Sequence, residues 1–407
     1  MSKRRRSKRL ADWIRCRGGT VHPHLNMFVD NDGKGENRCV VAEKPIRKGE
    51  VLIRLTTKSY FDASRRRDGL PKECRSEEGI ILTALCMMRY MLVKGNDDAY
   101  VECLNGTKIY LTKDKVVTNL LKGSSAYEEY ISLRPEMILW HKGGLRRTVL
   151  NYPDIWPCDE NKVDAMFERV CGLVRTRGFY DEQNRGPYML PGMDMLNHCN
   201  DQKRTSTTLF VDDEVKDGED RALVFLMIAE RDIKKDEEIT HTYLEMNDSL
   251  LFMTYGIVND RAVPVPRISR SVILRAIMEA FSESFGETTM KEFGEAIRSK
   301  KMKDCNSLIP HGFVSLKNGE SGIHKKLWNI ASLLAPDDTI SMLCRIYKFS
   351  LEEFDSTVRR DSPDHASIAS SPHRVAAFAL ARREYTVLKS AYSYALRLLS
   401  SSSNGGI

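Results

Sequence analysis

The sequence has no long hydrophobic run and no closely spaced pair of cysteines. Its most apolar stretches, Ile80–Met88 and Ala222–Ala229, are far shorter than the ~20 residues that a membrane-spanning helix needs. No two of the ten cysteines have Cys-x-x-Cys spacing, and no histidine stands at zinc-finger distance from them. Cysteines within apolar segments, such as Cys86 and Cys171, are typical of reduced core residues in an intracellular protein. The sequence therefore predicts neither a membrane span nor a bound metal.

Acidic residues are absent from the first nine positions, which carry six lysines and arginines. The whole chain has a net charge of +7, so the remainder is almost neutral and is not expected to bind polyanions. Two interpretations of the basic start remain open. It is a solvated, disordered tail, or it is a nuclear-localisation signal or weak RNA-contacting arm. No apolar segment follows it, so no secretory signal is expected.

The length of 407 residues, 42% of them hydrophobic and 29% charged, predicts a globular protein with two or three domains. Short apolar runs between turn residues predict a β-rich region over 10–60. Apolar residues at helical spacing predict helices over 78–93 and 161–176, and strands are predicted at 223–229 and 238–244. After about residue 261 the spacing is helical throughout, and the polar end is expected to be disordered.

One internal repeat is visible. Ala42–Glu50 and Ala229–Glu237 align without gaps, and both have the pattern of a strand, a tight charged turn and a second strand. Common turn chemistry alone could produce this likeness. The alternative is a pair of related β-units that a helical insertion separates.

The segment Leu190–Cys199 is the first candidate functional site. Asp194, Asn197 and His198 lie together there within an apolar run. Taken alone, such a cluster is more typical of a capped turn than of an active site. Its interpretation therefore depends on the segments around it.

Four segments in this order resemble the SET-domain protein methyltransferases. They are Glu36–Ala42 with its following turn, Val174–Phe179, Leu190–Cys199, and Glu238–Tyr243 with Tyr255 and Gly256 behind it. Further landmarks are Asp12–Gly19, Ala99–Leu104, Leu120–Ser124 and Trp140. The resemblance is to the branch that contains the Rubisco large-subunit, ribosomal-protein and actin-histidine methyltransferases. It implies an α+β fold, in which a β-rich SET core with a helical insertion is followed by an all-α C-terminal domain.

The resemblance also implies the domain organisation. The expected parts are a basic tail at 1–9, the first part of the SET core at 10–58, a helical insertion at 59–174, the second part of the core at 175–260, a helical substrate-binding domain at 261–400, and a disordered tail at 401–407.

The cofactor that the resemblance implies is S-adenosylmethionine, bound without a metal. The residues that match the family's cofactor contacts are Glu36, Asn37, Arg38, Arg177, Asp194, Asn197, His198 and Tyr255. A guanidinium such as that of Arg177 suits the methionine carboxylate, since it can contact both oxygens. The family usually has glycine where this chain has Asn37 and Cys39, which changes the loop that precedes the strand.

Tyr243 matches the family's catalytic tyrosine, and Phe179 and Tyr243 are the expected walls of the substrate channel. Methyl transfer needs a neutral amine, whereas a free lysine has a pKa of ~10.4. An apolar channel favours the neutral form, and a phenyl ring suits an aliphatic lysine stem. Lysine is therefore the predicted acceptor. Leu244 replaces the small residue that usually follows this tyrosine.

The predicted function is thus S-adenosylmethionine-dependent methylation of a lysine in a non-histone protein. The alternatives are a protein-histidine methyltransferase of the same branch, a catalytically weak SET-like binding protein, and an RNA-binding factor that uses the basic tail. A Rossmann methyltransferase is disfavoured, because Asp32–Gly35 offers only Gly-x-Gly and a strand follows it. The expected partner is a ribosomal or other intracellular protein, with weak nucleic-acid contact at most. A monomer in the nucleus or cytoplasm is expected.

Overall fold

The computed structural model describes residues 3–30, 38–107, 115–127, 135–199, 201, 204–214, 222–243, 248–256, 268, 270–284, 328–329, 331–332, 335, 338–354, 356–359, 368 and 371–404. The chain forms two compact units. The first consists of Met1–Tyr110 and Arg134–Glu245, and the second of Leu111–Leu133 and Met246–Ile407. The second unit thus includes residues 111–133, which the sequence placed in the helical insertion.

The first unit combines helices with short strands. Its helices are α1 (Lys3–Arg15), α2 (Gly79–Lys94), α3 (Ala99–Asn105), α5 (Pro135–Lys142), α6 (Leu145–Asn151) and α7 (Glu160–Arg177). Its strands are β1 (Thr20–Val21), β2 (Leu25–Asp30), β3 (Arg38–Ala42), β4 (Val51–Leu55), β5 (Gly178–Phe179), β6 (Tyr188–Met189), β7 (Asn197–His198), β8 (Thr207–Glu214), β9 (Ala222–Ala229) and β10 (Glu238–His241). Short 3-10 helices span Ser64–Gly69, Lys72–Cys74, Gly95–Asp97 and Met193–Met195.

The second unit is helical in its described part. It contains α4 (Lys115–Leu121), α8 (Asp248–Tyr255), α9 (Arg270–Ser284), α10 (Thr339–Glu352), α11 (Ser356–Arg359) and α12 (Pro372–Asn404). One apolar core joins these helices, with Val117 of α4 and Leu380 of α12 both fully buried in it. The α+β class with a helical C-terminal region is confirmed. No helix among the described residues is both long and apolar enough to cross a membrane.

Two four-stranded sheets form the β-core of the first unit. One has the order β1-β4-β9-β8, and the other has the order β2-β3-β10-β7. All neighbouring strands are antiparallel except β7 and β10, which run parallel. Strand β10 ends at His241, whereas a strand to residue 244 was predicted from the sequence. Tyr243 therefore lies just beyond the end of the observed strand.

The internal repeat pairs with itself. Ile46 and Ile233, which are equivalent positions of the repeat, exchange two backbone hydrogen bonds of 3.0 and 2.9 Å. The bond from Ala42 N to Glu237 O, at 3.1 Å, has its equivalent in the bond from Ala229 N to Glu50 O, at 3.0 Å. Such matched bonds define a local two-fold axis between the segments. The repeat therefore marks two related β-units, and it joins the two sheets.

Residues 3–9 of the basic start are helical and packed, which disfavours the solvated, disordered tail that was one of its two open interpretations. Ser7 is buried, and its hydroxyl accepts a hydrogen bond of 3.0 Å from Met27 N. Arg9 Nη1 donates to Glu102 Oε2 at 2.7 Å. Two apolar side chains of α1, Leu10 and Ile14, are fully buried in the core of the first unit. The chain end departs from expectation in the same way, because α12 continues to Asn404.

Deleting residues 2–9 is expected to destabilise the first unit. The deletion removes Ser7, and a buried amide at Met27 without a partner costs about 2 kcal/mol. Changing the exposed residues Arg4, Arg5 and Lys8 to Gln should leave stability almost unchanged, since exposed charges contribute little. Thermal unfolding followed by circular dichroism compares the two variants. Equal melting temperatures would contradict the structural role of this helix.

Candidate active site

The candidate site is assembled where β7 lies beside β10. Asn197 is in register with Thr240, and His198 with His241. Cys199 N continues the pairing with a bond of 2.9 Å to His241 O. This short parallel pair brings the Asp194–His198 segment, which is distant in sequence, to the end of β10.

Asn197 uses its side-chain nitrogen within the protein. Nδ2 donates to Arg38 O at 3.0 Å and to Glu238 Oε1 at 2.8 Å, so Asn197 links β3, β7 and β10. A carbonyl and a carboxylate oxygen accept hydrogen bonds, so the nitrogen must face them. Oδ1 of Asn197 is therefore turned away, and no described residue donates to it.

Asp194 holds the turn that precedes this strand. Its side chain is fully buried, and it accepts hydrogen bonds from Gly192 N at 3.1 Å and from the Tyr100 hydroxyl at 2.9 Å. Gly192 has φ of +86°, a conformation that favours glycine. Burial raises the pKa of Asp194, and the nearby Arg177 opposes that shift. Because this carboxylate is enclosed, it positions its neighbours.

Arg177 ends α7 and lies against the same turn. Its Nη1 donates to Asp194 O and lies 3.7 Å from Asp194 Oδ2. Its Nε is buried and has no partner among the described residues. Burial and the charge of Arg177 lower the pKa of Arg38, whose Nη2 donates to Gly106 O. Two guanidinium groups therefore influence each other electrostatically, which suits a site for an anionic group.

Tyr243 packs against His198. The two ring centroids are 5.1 Å apart, and His198 Nδ1 accepts a bond of 3.0 Å from Tyr243 N. The Tyr243 hydroxyl donates to Leu196 O at 2.6 Å. A phenol oxygen whose proton is donated to a carbonyl can act as a hydrogen-bond acceptor, because its lone pairs are not used by that bond.

Phe179 lies near the same end of β10. It is the second residue after Arg177 and belongs to the short strand β5, which pairs with β6. Its ring is half-buried, and its centroid is 6.1 Å from that of His241. Burial lowers the pKa of His241, so this imidazole favours its neutral form. Phe179 therefore has a neutral imidazole as a neighbour.

The other residues that the sequence singled out are Glu36, Asn37, Leu244 and Tyr255. Glu36, Asn37 and Leu244 lie outside the described residues. Tyr255 ends α8 in the second unit. The described part of the first unit thus brings together Arg38, Arg177 and the segment from Asp194 to His198, with Phe179 and Tyr243 beside them.

Three residues of the site were missed by sequence reasoning. Tyr100 supports Asp194, Glu238 holds Asn197, and the neutral His241 neighbours Phe179. Tyr100 stands in a segment already noted as a family landmark, which was a usable signal. For Glu238 and His241 the sequence offered no signal of a role in the site beyond their place in the predicted strand. Among the described residues, no three His, Cys, Asp or Glu side chains form a group that could hold a metal ion.

The parallel strand pair brings the Asn197–His198 segment and the adjoining tyrosine together, as the resemblance to the SET domain implied. A family model described as the SET domain matches residues 37–244, more than half of the chain. The chain therefore belongs to the SET-domain family. No curated protein matches it significantly.

Solved structures share the fold over nearly the whole chain. The SET domain of LSMT bound to lysine and AdoHcy matches with a TM-score of 0.68 and 13% identity, covering 98% of this chain and 92% of that chain. Rubisco LSMT bound to AdoMet matches with a TM-score of 0.66 and 13% identity, covering 96% of this chain and 92% of that chain. The likeness shows that the fold, a β-core with a C-terminal helical region, is shared over nearly the whole chain.

Asp194→Asn is expected to destabilise the first unit more than Tyr100→Phe. The Asn variant leaves Arg177, whose side chain is 15% exposed, without a nearby carboxylate, a loss of about 3–5 kcal/mol. The Phe variant removes one hydrogen bond to a carboxylate, worth about 1.5–3 kcal/mol. Urea unfolding of the full chain, followed by circular dichroism, measures both. Equal effects would contradict the ion pair's role.

Proposed function

We propose that this chain is an S-adenosylmethionine-dependent protein methyltransferase that modifies a lysine side chain. The observation that carries the proposal is the fixed orientation of Asn197. Its nitrogen is held by Arg38 O and Glu238, so Oδ1 is available to accept a hydrogen bond from an amino group. The methionine part of the cofactor carries such a group.

The neighbouring arginines suit the rest of the methionine part. Nη1 of Arg177 is engaged by Asp194 O, whereas the edge formed by Nε and Nη2 has no hydrogen bond to a described residue. That edge presents two parallel donors, the arrangement that binds a carboxylate. A carboxylate there would also reduce the repulsion between Arg177 and Arg38. Asn197 and Arg177 together therefore fit an amino acid.

The cofactor supplies an electrophilic methyl group on a sulfonium sulfur. The chain's contribution is to orient and desolvate the acceptor amine. The Tyr243 oxygen, fixed by its bond to Leu196 O, accepts a hydrogen bond from the amine and thereby directs its lone pair. Phe179 and the neutral His241 add little charge, so the amine loses its proton more readily than in water.

Lysine is favoured over histidine as the acceptor. Phe179 offers an apolar ring to an aliphatic side chain, whereas an imidazole needs a polar partner to fix its ring nitrogens. The LSMT structures were solved with lysine and with monomethyllysine, and they share this fold. A non-histone protein of the nucleus or cytoplasm remains the proposed substrate.

Isothermal titration calorimetry tests the cofactor assignment. The full chain should bind S-adenosylmethionine at one site, with the same affinity before and after treatment with a chelator. Absence of binding would refute the proposal. Binding without methyl transfer to any hypomethylated lysate protein would favour the alternative of a SET-like binding protein.

The helical unit is the proposed site of substrate recognition. A truncation at residue 260 is a poor test, because it leaves Val117, Leu120 and Leu121 of α4 without the helices that bury them. A better truncation also replaces 111–133 by a Gly/Ser linker. If this folded variant binds the cofactor but no longer selects its substrate protein, the assignment holds. Unchanged selectivity would contradict it.

A further inference from the structure

Two adjoining cavities open on the first unit, beside α1 and α2. One has a volume of about 400 Å³ and the other of about 200 Å³. They adjoin because Arg66, Tyr90 and Lys94 line both. Six cationic residues line the pair, and no Asp or Glu does so among the described residues. The six are Arg17, Lys58, Arg65, Arg66, Arg89 and Lys94.

Most of these cations lack an acidic partner. Within the part of the chain that the structure describes, no carboxylate oxygen lies within 4.0 Å of Lys58, Arg66, Arg89 or Lys94. Another basic surface, lined by Arg204, Arg231, Lys234 and Lys235, differs because Asp236 and Glu237 line it too. The two cavities therefore carry uncompensated positive charge, which an anionic ligand would neutralise.

Two of the guanidinium groups lie over aromatic rings. The Arg66 guanidinium lies 4.4 Å from the Phe61 centroid and 5.7 Å from that of Tyr90. The Arg17 guanidinium lies 3.9 Å from the Trp13 centroid. Both Tyr90 and Trp13 are fixed, since each donates a bond of 2.8 Å to the buried Asp98. These planar cations are therefore positioned before any ligand arrives.

A planar guanidinium can bind a phosphate through its edge and stack on a nucleobase through its face. An acidic peptide would use only the first of these properties. A double helix is too wide to enter cavities of this volume. The chain of cations across two adjoining cavities suits consecutive phosphates of one strand, and exposed Arg4, Arg5 and Lys8 of α1 add to the attraction.

We propose that these two cavities bind single-stranded nucleic acid, with phosphates at the unpaired cations and bases against Arg17 and Arg66. The proposal does not depend on methyl transfer. None of the predicted cofactor or channel residues lines the cavities; the nearest link is Tyr100, whose hydroxyl supports Asp194. The proposed nucleic-acid contact thus lies in the two cavities, whereas the sequence suggested such a contact only for the basic tail.

Fluorescence anisotropy with a labelled oligouridylate RNA of about 12 nucleotides tests the proposal on the full chain without cofactor. The parent protein should bind saturably. Arg66→Ala combined with Lys94→Ala should weaken binding about tenfold or more, and should lower the slope of log K against log salt by about 1.4. The matched control, Lys234→Ala with Lys235→Ala, removes equal charge from the other basic surface and should bind like the parent.

The Arg66→Lys variant distinguishes the contribution of positive charge to binding from the contribution of the planar guanidinium. It keeps the phosphate contact and loses the stacked guanidinium, so affinity should fall while the salt dependence is retained. It also keeps the proposal testable if the double variant fails to fold, which thermal unfolding reveals. Parent-like affinity in a folded Arg66/Lys94 variant, equal loss in the control, or stronger competition by polyglutamate than by unlabelled oligouridylate would each overturn the proposal.

Discussion

Asn197→Ala is expected to weaken S-adenosylmethionine binding on the order of 100-fold. The variant removes the oxygen proposed to accept the cofactor's amino group. It also releases Arg38 O and Glu238, which Asn197 now holds. Leaving a desolvated polar group unpaired costs about 1–3 kcal/mol, and each 1.4 kcal/mol is a tenfold change in affinity. Calorimetry on parent and variant measures the loss.

Asn105→Ala is the matched control for this experiment. Asn105 also donates through its side-chain nitrogen, to Asn96 Oδ1 at 2.7 Å, but at an exposed position. The Asn105→Ala variant should therefore bind the cofactor with the affinity of the parent protein. Because Asn197 links three strands, the folded state of its variant must be verified by circular dichroism. Parent-like affinity in folded Asn197→Ala would remove Asn197 from the cofactor site.

Tyr243→Phe is expected to lower turnover on the order of 100-fold, the size typical of removing one positioned polar group beside the reacting atoms. The ring would still pack against His198, so cofactor affinity should remain nearly intact. The lost group is the oxygen proposed to orient the amine, a role that acts in the transition state more than in the ground state. Single-turnover kinetics and calorimetry together distinguish the two effects. A change in the number of methyl groups added would point to the same oxygen.

Tyr347→Phe provides the control for loss of a buried hydroxyl. The Tyr347 hydroxyl lies in the second unit and has no partner among the described residues. Its removal should leave turnover unchanged. Unchanged turnover and product pattern in Tyr243→Phe would exclude Tyr243 from the mechanism.

Local patterns in the sequence predicted much of the fold. The helical spacing at 78–93 and 161–176 matches α2 and α7, because apolar faces of long helices leave a clear period. The repeat at Ala42 and Ala229 was visible as well. Its self-pairing was not, since hydrogen bonds between distant segments leave no local signal. The start of helix α1 was missed, because the dense positive charge of residues 3–9 concealed the helical face that Ser7, Leu10 and Ile14 bury.

The site was predicted in part for a similar reason. Motif residues such as Arg177 and Asn197 could be matched to a family, but their supporting partners come from remote segments. Tyr100 reaches Asp194 across 94 positions, and Glu238 reaches Asn197 across 41. The second unit's use of residues 111–133 likewise depends on packing that no local pattern encodes.

Amino-acid analysis of a methylated product tests the central claim most directly. The full chain is incubated with radiolabelled S-adenosylmethionine and lysate from a strain that lacks this protein, and the labelled protein is hydrolysed to amino acids. The label should elute as methyl-lysine, and Tyr243→Phe should reduce it. Label in methyl-histidine would contradict the lysine assignment, and no label in any protein would contradict methyltransferase activity itself.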